Sequence, residues 1–340
     1  MMKTVVKNTI AGLQLYKAAR LINRRKTLIV MYHGLTGDNR LRDWTQVHID
    51  DFERQMDYLA RKYNPYALSD LAAGLNSNPE WIYPVAVTFD DGYRSNLTLA
   101  LPILKKYNIP ATVFVASGFI RGFDKRMGLL WPDFITAMLR SINDDQIDLA
   151  DIGLKRFDLT NDNGFDRTRK AITEHLKSSP AAEKEKFLTW LENRFGSKIV
   201  FENFPEYHPL SLTEFKKLAS DPLISIGGHS INHPILSRLK TDDISHEIAG
   251  CRKELEEMTA TKVTAFAYPN GRIEDIGVET LAITSRHYEC AVTTESGLNQ
   301  RGQNKFLLRR YGIGRHFNFE QYKILISGVY HMTQKPIQDL

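Results

Sequence analysis

Seven short runs rich in Val, Ile, Phe and Ala punctuate the chain. They are TLIVMYH (27–33), VAVTFDD (85–91), ATVFVAS (111–117), ISIGGHS (224–230), TAFAYPNG (264–271), AVTT (291–294) and LLRRYGI (307–313). Most are continuously apolar rather than alternating. A strand tolerates that only when both its faces are buried, as in a parallel sheet covered by helices. Helical patterns fill the gaps between runs. Asp50 with Glu53 reads as a capping pair, and Phe52, Met56, Leu59 and Tyr63 follow at helical spacing. Leu97, Leu101, Leu104 and Tyr107 repeat the pattern; Ile244, Ile248, Cys251, Leu255 and Met258 form a stripe at steps of three and four. Ser211 and Glu214 make a second capping box ahead of the run at 224. Strand and helix alternate, so this is an α/β protein, and seven covered strands predict a closed or nearly closed barrel. The stretch 119–210 breaks the rhythm with charged, helix-rich sequence and no strong strand; it reads as a helical insertion, a lid or substrate wall. The expected organisation is an N-terminal helical extension (1–26), a single domain (27–330) carrying the insertion, and a C-terminal tail (331–340).

The 340 residues are 42% hydrophobic and 25% charged, ample for a real core. A net charge of +5 comes without any long run of Lys or Arg, so no nucleic-acid partner is expected; the NRRK cluster at 23–26 reads as a solvated face. Two cysteines, Cys251 and Cys290, make neither a disulfide framework nor a CxxC pair. Cys251 lies on an apolar stripe and is expected as a buried free thiol. The first 26 residues lack a long apolar core with a small-residue cleavage site, which predicts a cytoplasmic protein without a transmembrane helix. Val5, Val6, Ile10, Leu13, Leu21 and Ile22 can form one face of an amphipathic helix, expected to pack on the body of the protein, with peripheral membrane contact as the alternative. No protein partner follows from the sequence.

Polar residues gather at the carboxyl ends of the runs: Tyr32-His33-Gly34, Asp90-Asp91-Gly92, Gly228-His229-Ser230 and Tyr268-Pro269-Asn270-Gly271. One Asp-Asp-Gly alone is explained as a turn. Histidines and aspartates at the ends of separate strands are not, because in a parallel barrel those ends converge on one rim. In HSINHP (229–234) the two histidines are four apart and would share a face if the segment turned as a helix. Two imidazoles and one carboxylate can hold a metal ion and leave positions open for water and substrate. One aspartate of the pair can then ligate while the other stays free as a base.

TFDDG (88–92) and HSINHP (229–234) together resemble the first two signature motifs of the polysaccharide deacetylases, the NodB-homology or carbohydrate esterase family 4 fold. The resemblance runs from Met31 to about Gly314, with 119–210 as an insertion, and implies a distorted (β/α)7-type barrel related to TIM barrels, in agreement with the count of runs. MYHG (31–34), the Trp-Pro at 131–132 and FAYPNG (266–271) are similar to the branch acting on exopolysaccharides and other cell-surface glycans. The resemblance implies removal of an N-acetyl group from an amino sugar of a polysaccharide or glycan precursor. It implies Asp90 as catalytic base and Asp91, His229 and His233 as ligands of a divalent metal, zinc first, with cobalt, nickel or ferrous iron as alternatives. Ser230 would brace the metal-binding turn and, with Tyr268, Pro269 and Asn270, belong to the substrate-binding set; the backbone N–H of Asn270 is a candidate oxyanion donor. Two departures stand out. The third motif lacks its usual arginine, so Arg309 or Arg310 would supply that charge. The final leucine–histidine motif has no convincing match, so His33 is the candidate general acid. Trp131 and Phe123 are candidates for stacking on sugar rings, whereas Trp44, Trp81 and Trp190 have no such context. A deformylase acting on a lipid-linked sugar and a glycan-binding module without catalysis are the competing expectations.

Overall fold

The computed structural model describes residues 15–39, 41, 43–77, 80–122, 126–332, 334–338 and 340. Each apolar run contributes to one parallel sheet, whose strands we label β1 (Leu28–Tyr32), β2 (Pro84–Phe89), β3 (Ala111–Val115), β4 (Ile224–Gly228), β5 (Ala265–Ala267), β6 (Cys290–Val292) and β7 (Tyr311–Gly312). A further two-residue strand, Asn64–Pro65, pairs with the start of β2. Every residue of β1, β2 and β3 is buried, which is the condition their continuous apolar runs require. Neighbours follow chain order from β1 to β6, and β7 returns beside β1. The register runs from Leu28↔Val85 to Tyr32↔Phe89 across β1 and β2, and from Ala111↔Ile224 to Val115↔Gly228 across β3 and β4. The last segment closes the ring: Leu308 bridges Val292 of β6, and three residues later Tyr311 pairs with Val30 of β1. The result is the barrel expected from the runs.

The helices bury the stripes read from sequence. Helix Ile49–Lys62 buries Phe52, Met56 and Leu59, but its cap is His48, whose side chain accepts from the Asp50 N–H; Asp50 sits inside the first turn. Leu212–Ala219 opens with the Ser211–Glu214 capping box. Ile244, Ile248, Cys251 and Leu255 are buried together, and both cysteines are buried free thiols. The N-terminal extension differs from expectation. Val5, Val6, Ile10 and Leu13 lie outside the described residues. In helix Leu15–Ile22 the packed face is Tyr16 and Ala19, while Leu21 and Ile22 are exposed. The reason is local: Lys323 covers the Tyr16 ring, and Arg20 lies over Tyr83. No described helix is long and apolar enough to cross a membrane.

The chain divides into two compact units, residues 1–121 with 209–340, which hold the barrel, and residues 122–208. The second unit contains helices Trp131–Ser141, Asp162–Ser178 and Ala181–Phe195 and an antiparallel pair, Gln146–Asp148 with Arg156–Asp158, in a stretch where the sequence showed no strong strand. Phe123 lies outside the described residues. Trp131 is not the open aromatic expected: it begins a helix, is 5% exposed, and carries the Lys184 ammonium 4.1 Å over its ring.

Gly227 and Gly228 end β4 immediately before His229. A Cβ on Gly227 would stand 2.3 Å from the Phe114 ring of β3, a contact the packed sheet has no room to relieve. Gly227→Ala should therefore destabilise the fold by roughly 1–3 kcal/mol, read as a lower denaturant midpoint at unchanged slope.

Candidate active site

The rim is built by backbone bonds that carry the ladder past the strand ends. The Asp90 N–H donates to Tyr32 O (2.9 Å), Ala116 N–H to Asp91 O (3.2 Å) and His229 N–H to Val115 O (3.0 Å). Four non-glycine residues on this rim have left-handed backbone: Asp91 (φ 77°), Ser230 (φ 62°), His233 (φ 54°) and Asn270 (φ 58°). Such conformations cost about 1–3 kcal/mol each and persist where the surroundings dictate them. Gly92 continues the Asp91 turn at φ 97°, a value only glycine adopts easily.

The two aspartates diverge at this turn. The Asp90 carboxylate meets the Arg310 guanidinium in a two-pronged pair, both bonds 2.7 Å. Arg310 is fully buried, donating also to Thr293 O (2.9 Å) and Thr88 Oγ1 (3.2 Å). The Asp91 carboxylate turns the other way. Its Oδ1 is buried without a hydrogen-bond partner and stands 3.5 Å from His229 Nε2 and 3.6 Å from His233 Nε2. His229 Nδ1 is 2.7 Å from Ala267 O, which fixes the proton on that nitrogen and leaves the Nε2 lone pair facing Asp91.

The His229–His233 segment is not the helical turn expected from the spacing. Left-handed residues at Ser230 and His233 fold it into a loop that brings the two rings to 4.8 Å. Ser230 Oγ accepts from the His233 N–H (3.0 Å). The Glu247 carboxylate accepts from the N–H groups of Ile231 (2.8 Å) and Asn232 (2.9 Å) and from Asn232 Nδ2 (2.8 Å). Glu247 carries no motif in the sequence; an acid one position before the buried Ile248 of a helical stripe is the signal by which it could be found.

The electrostatics separate the pair further. Burial alone would raise the Asp90 carboxyl, but the Arg310 guanidinium, with smaller contributions from His229 and His33, brings it to about 2. Burial and the Asp90 charge push Asp91 up to about 8. Burial lowers His229, so the 3.5 Å approach to Asp91 is not an ion pair at neutral pH. An orphaned buried carboxylate oxygen faces two imidazoles, and these three side chains are the group among the described residues that could hold a metal ion. Separations of this size suit ligands sharing one ion about 2 Å from each.

Arg310 reaches Asp90; its neighbour Arg309, in the extended stretch just before β7, does not and instead lies in the field of Glu295. His33 stands at the rim in the field of Asp90, with Nδ1 buried and unpartnered; burial lowers it to about 4. Ser230 and Tyr268 are buried at 0% and 1% exposure and do not line a groove: Ser230 braces the loop, and the Tyr268 hydroxyl donates to Phe306 O (3.1 Å) inside the core. Pro269 is buried too, and Asn270 is half-buried, held by the Thr294 hydroxyl on its carbonyl (2.6 Å).

A closed parallel barrel with paired aspartates and an Asp-His-His cluster at its rim defines a class. The chain belongs to the polysaccharide deacetylase family, whose profile matches residues 82–285, and is an enzyme of that class. It is 25% identical over 288 residues to YxkH of Bacillus subtilis (strain 168), which carries a polysaccharide deacetylase designation; the match spans 84% of this chain and 70% of the relative. The Streptococcus pyogenes deacetylase PplD in complex with acetate shares the fold, with a TM-score of 0.58 and 19% identity over 89% of this chain and 99% of that one. So does a de-N-acetylase from Aggregatibacter actinomycetemcomitans, with a TM-score of 0.54 and 13% identity over 88% and 98% of the two chains.

The raised Asp91 carboxyl gives a test of the cluster. A group held up to about 8 is protonated at pH 7, while His229, held down, is already neutral. A divalent ion bound there must displace the Asp91 proton. Calorimetric titration of metal-stripped protein at pH 7, in buffers of different ionisation enthalpy, should show release of about one proton per ion, with affinity rising as pH climbs toward 8.

Proposed function

We propose that the protein is a divalent-metal-dependent hydrolase that removes the acetyl group from an N-acetylated amino sugar of a polysaccharide or glycan precursor. The observation that carries this reading is the opposite disposition of two adjacent carboxylates. Asp91 faces two imidazoles with an unpartnered oxygen, and Asp90 is held apart by Arg310. Asp91, His229 and His233 would hold the ion, and a mixed nitrogen and carboxylate donor set favours zinc. When bound, the ion supplies Lewis acidity, making water more acidic and polarising the amide carbonyl.

The chain's own groups handle the protons. Asp90, ionised at every working pH, takes a proton from the attacking water as its oxygen bonds to the carbonyl carbon. Arg310 orients both carboxylate oxygens during that transfer. The C–N bond then breaks, giving acetate, and the nitrogen must gain a proton to leave as an amine. His33, at the rim in the field of Asp90 with its Nδ1 buried and unpartnered, is the candidate to carry that proton to the leaving nitrogen, and its lowered pKa leaves it unprotonated until it receives one. His33 is thus the general acid of this reading, loaded in the reaction rather than beforehand. The Asn270 N–H, on its left-handed turn, is the candidate donor to the developing oxyanion. The retained Asp90–Arg310 pair argues against a binding-only module, since a lectin has no use for an oriented base beside a metal site.

Asp90→Asn should keep about one equivalent of zinc yet lose roughly 10²–10⁴-fold in turnover, measured as acetate released from N-acetylglucosamine oligomers. His233→Ala should lose the metal, and chelation of the wild type should abolish activity reversibly. Full activity in metal-free protein would refute the reading; release of formate in place of acetate from the matching N-formyl substrates would move it to a deformylase.

A further inference from the structure

Trp44 is 40% exposed, and yet it does not sit on a loose loop. Asp43 Oδ1 accepts from both the N–H (3.1 Å) and the hydroxyl (3.0 Å) of Thr45. Thr45 O accepts from the Gly34 N–H, and Trp44 O from the Arg315 N–H, each at 3.2 Å. The turn is therefore tied on one side to the end of β1 and on the other to the segment leaving β7. The indole stands edge-to-face with the His33 imidazole, ring centres 5.3 Å apart and planes at 72°. His33 in turn lies in the field of Asp90. The other tryptophans are occupied by their surroundings: Trp131 is buried, Trp81 packs on Tyr66, and Trp190 packs on Phe195 under Arg194.

An indole fixed in the open beside a reacting centre leaves apolar surface in water at a continuing cost. That arrangement suits a ligand with an apolar face and a polar edge. A pyranose ring has this form: its axial C–H groups pack on an aromatic ring while its hydroxyls stay solvated or bonded. We propose that Trp44 is the stacking wall of a sugar subsite that adjoins the reacting acetamido group and takes a pyranose ring of the glycan chain. The proposal rests on the deacetylase reading above. It assigns Trp44 to substrate positioning, through contact with the sugar and not with the reacting atoms.

The test compares wild type, Trp44→Ala and Trp44→Phe on β-1,4- and β-1,6-linked N-acetylglucosamine pentamers and on the sugar-free ester 4-nitrophenyl acetate. Trp44→Ala should raise KM for the pentamer that wild type uses by about tenfold, with kcat changed far less. It should cost the sugar-free ester much less, and Trp44→Phe should recover most of the loss. The pentamer should quench wild-type tryptophan fluorescence more than that of Trp44→Phe. If wild type deacetylates a pentamer and both variants match its KM and quenching, the subsite is wrong while the deacetylase reading stands. If wild type cleaves the ester but neither binds nor deacetylates either pentamer, both fall.

Discussion

The Arg310–Asp90 pair is the interaction on which the site depends. Both partners are buried, with Arg310 fully enclosed and Asp90 at 2% exposure. Taking two charges out of water costs several kcal/mol per ion, and only good geometry offsets it. Here the geometry is a parallel fork at 2.7 Å, with the remaining guanidinium donors placed on Thr293 and Thr88. The pair ties the residue leading into β7 to the residue that follows β2, the two strands that flank β1. It also decides which aspartate does what. Without Arg310, two adjacent buried carboxylates would compete for one proton. With it, Asp90 keeps its charge and Asp91 carries the burden of repulsion, which a cation at the imidazoles would relieve.

Strain is concentrated on the same rim. Asp91, Ser230, His233 and Asn270 all have left-handed backbone, and each is braced by a hydrogen bond. Ala116 holds the Asp91 carbonyl, Ser117 the Ser230 carbonyl, Ser230 the His233 N–H, and Thr294 the Asn270 carbonyl. Glu247 closes the histidine loop from below. The closed sheet supplies the rigidity these positions need. Gly227 and Gly228, pressed against Phe114 and Tyr288, let β4 approach its neighbours closely enough to present His229 at the right depth.

Much of this was legible in the sequence because burial on both faces of a parallel strand leaves a continuous apolar run, and none of the seven runs misled. The Asp-Asp-Gly and His-x-x-x-His spacings located the cluster. What stayed hidden depended on three-dimensional facts. Alternation says that one of Arg309 and Arg310 faces inward but not which. Four-residue spacing suggested a helix, whereas Ser230 and Glu247 supply the bonds that make a loop instead. Tyr268 and Ser230 sit in motif positions yet are buried, and a motif does not report which of its side chains face solvent. Trp44 has no motif around it because its neighbour, His33, is eleven residues away in sequence and meets it only after β1 ends and the chain folds back.

The most direct measurement takes Arg310→Lys, which keeps a positive charge in the barrel and removes the fork. Zinc affinity and acetate release are measured side by side against wild type. The account predicts that the variant still binds about one equivalent of zinc, because Asp91, His229 and His233 are untouched, while turnover falls by roughly a hundredfold or more because Asp90 is no longer oriented. Turnover close to wild type would show that the base needs no fork. Loss of zinc together with activity would show that the two aspartates do not hold separate roles, and would contradict the account at its centre.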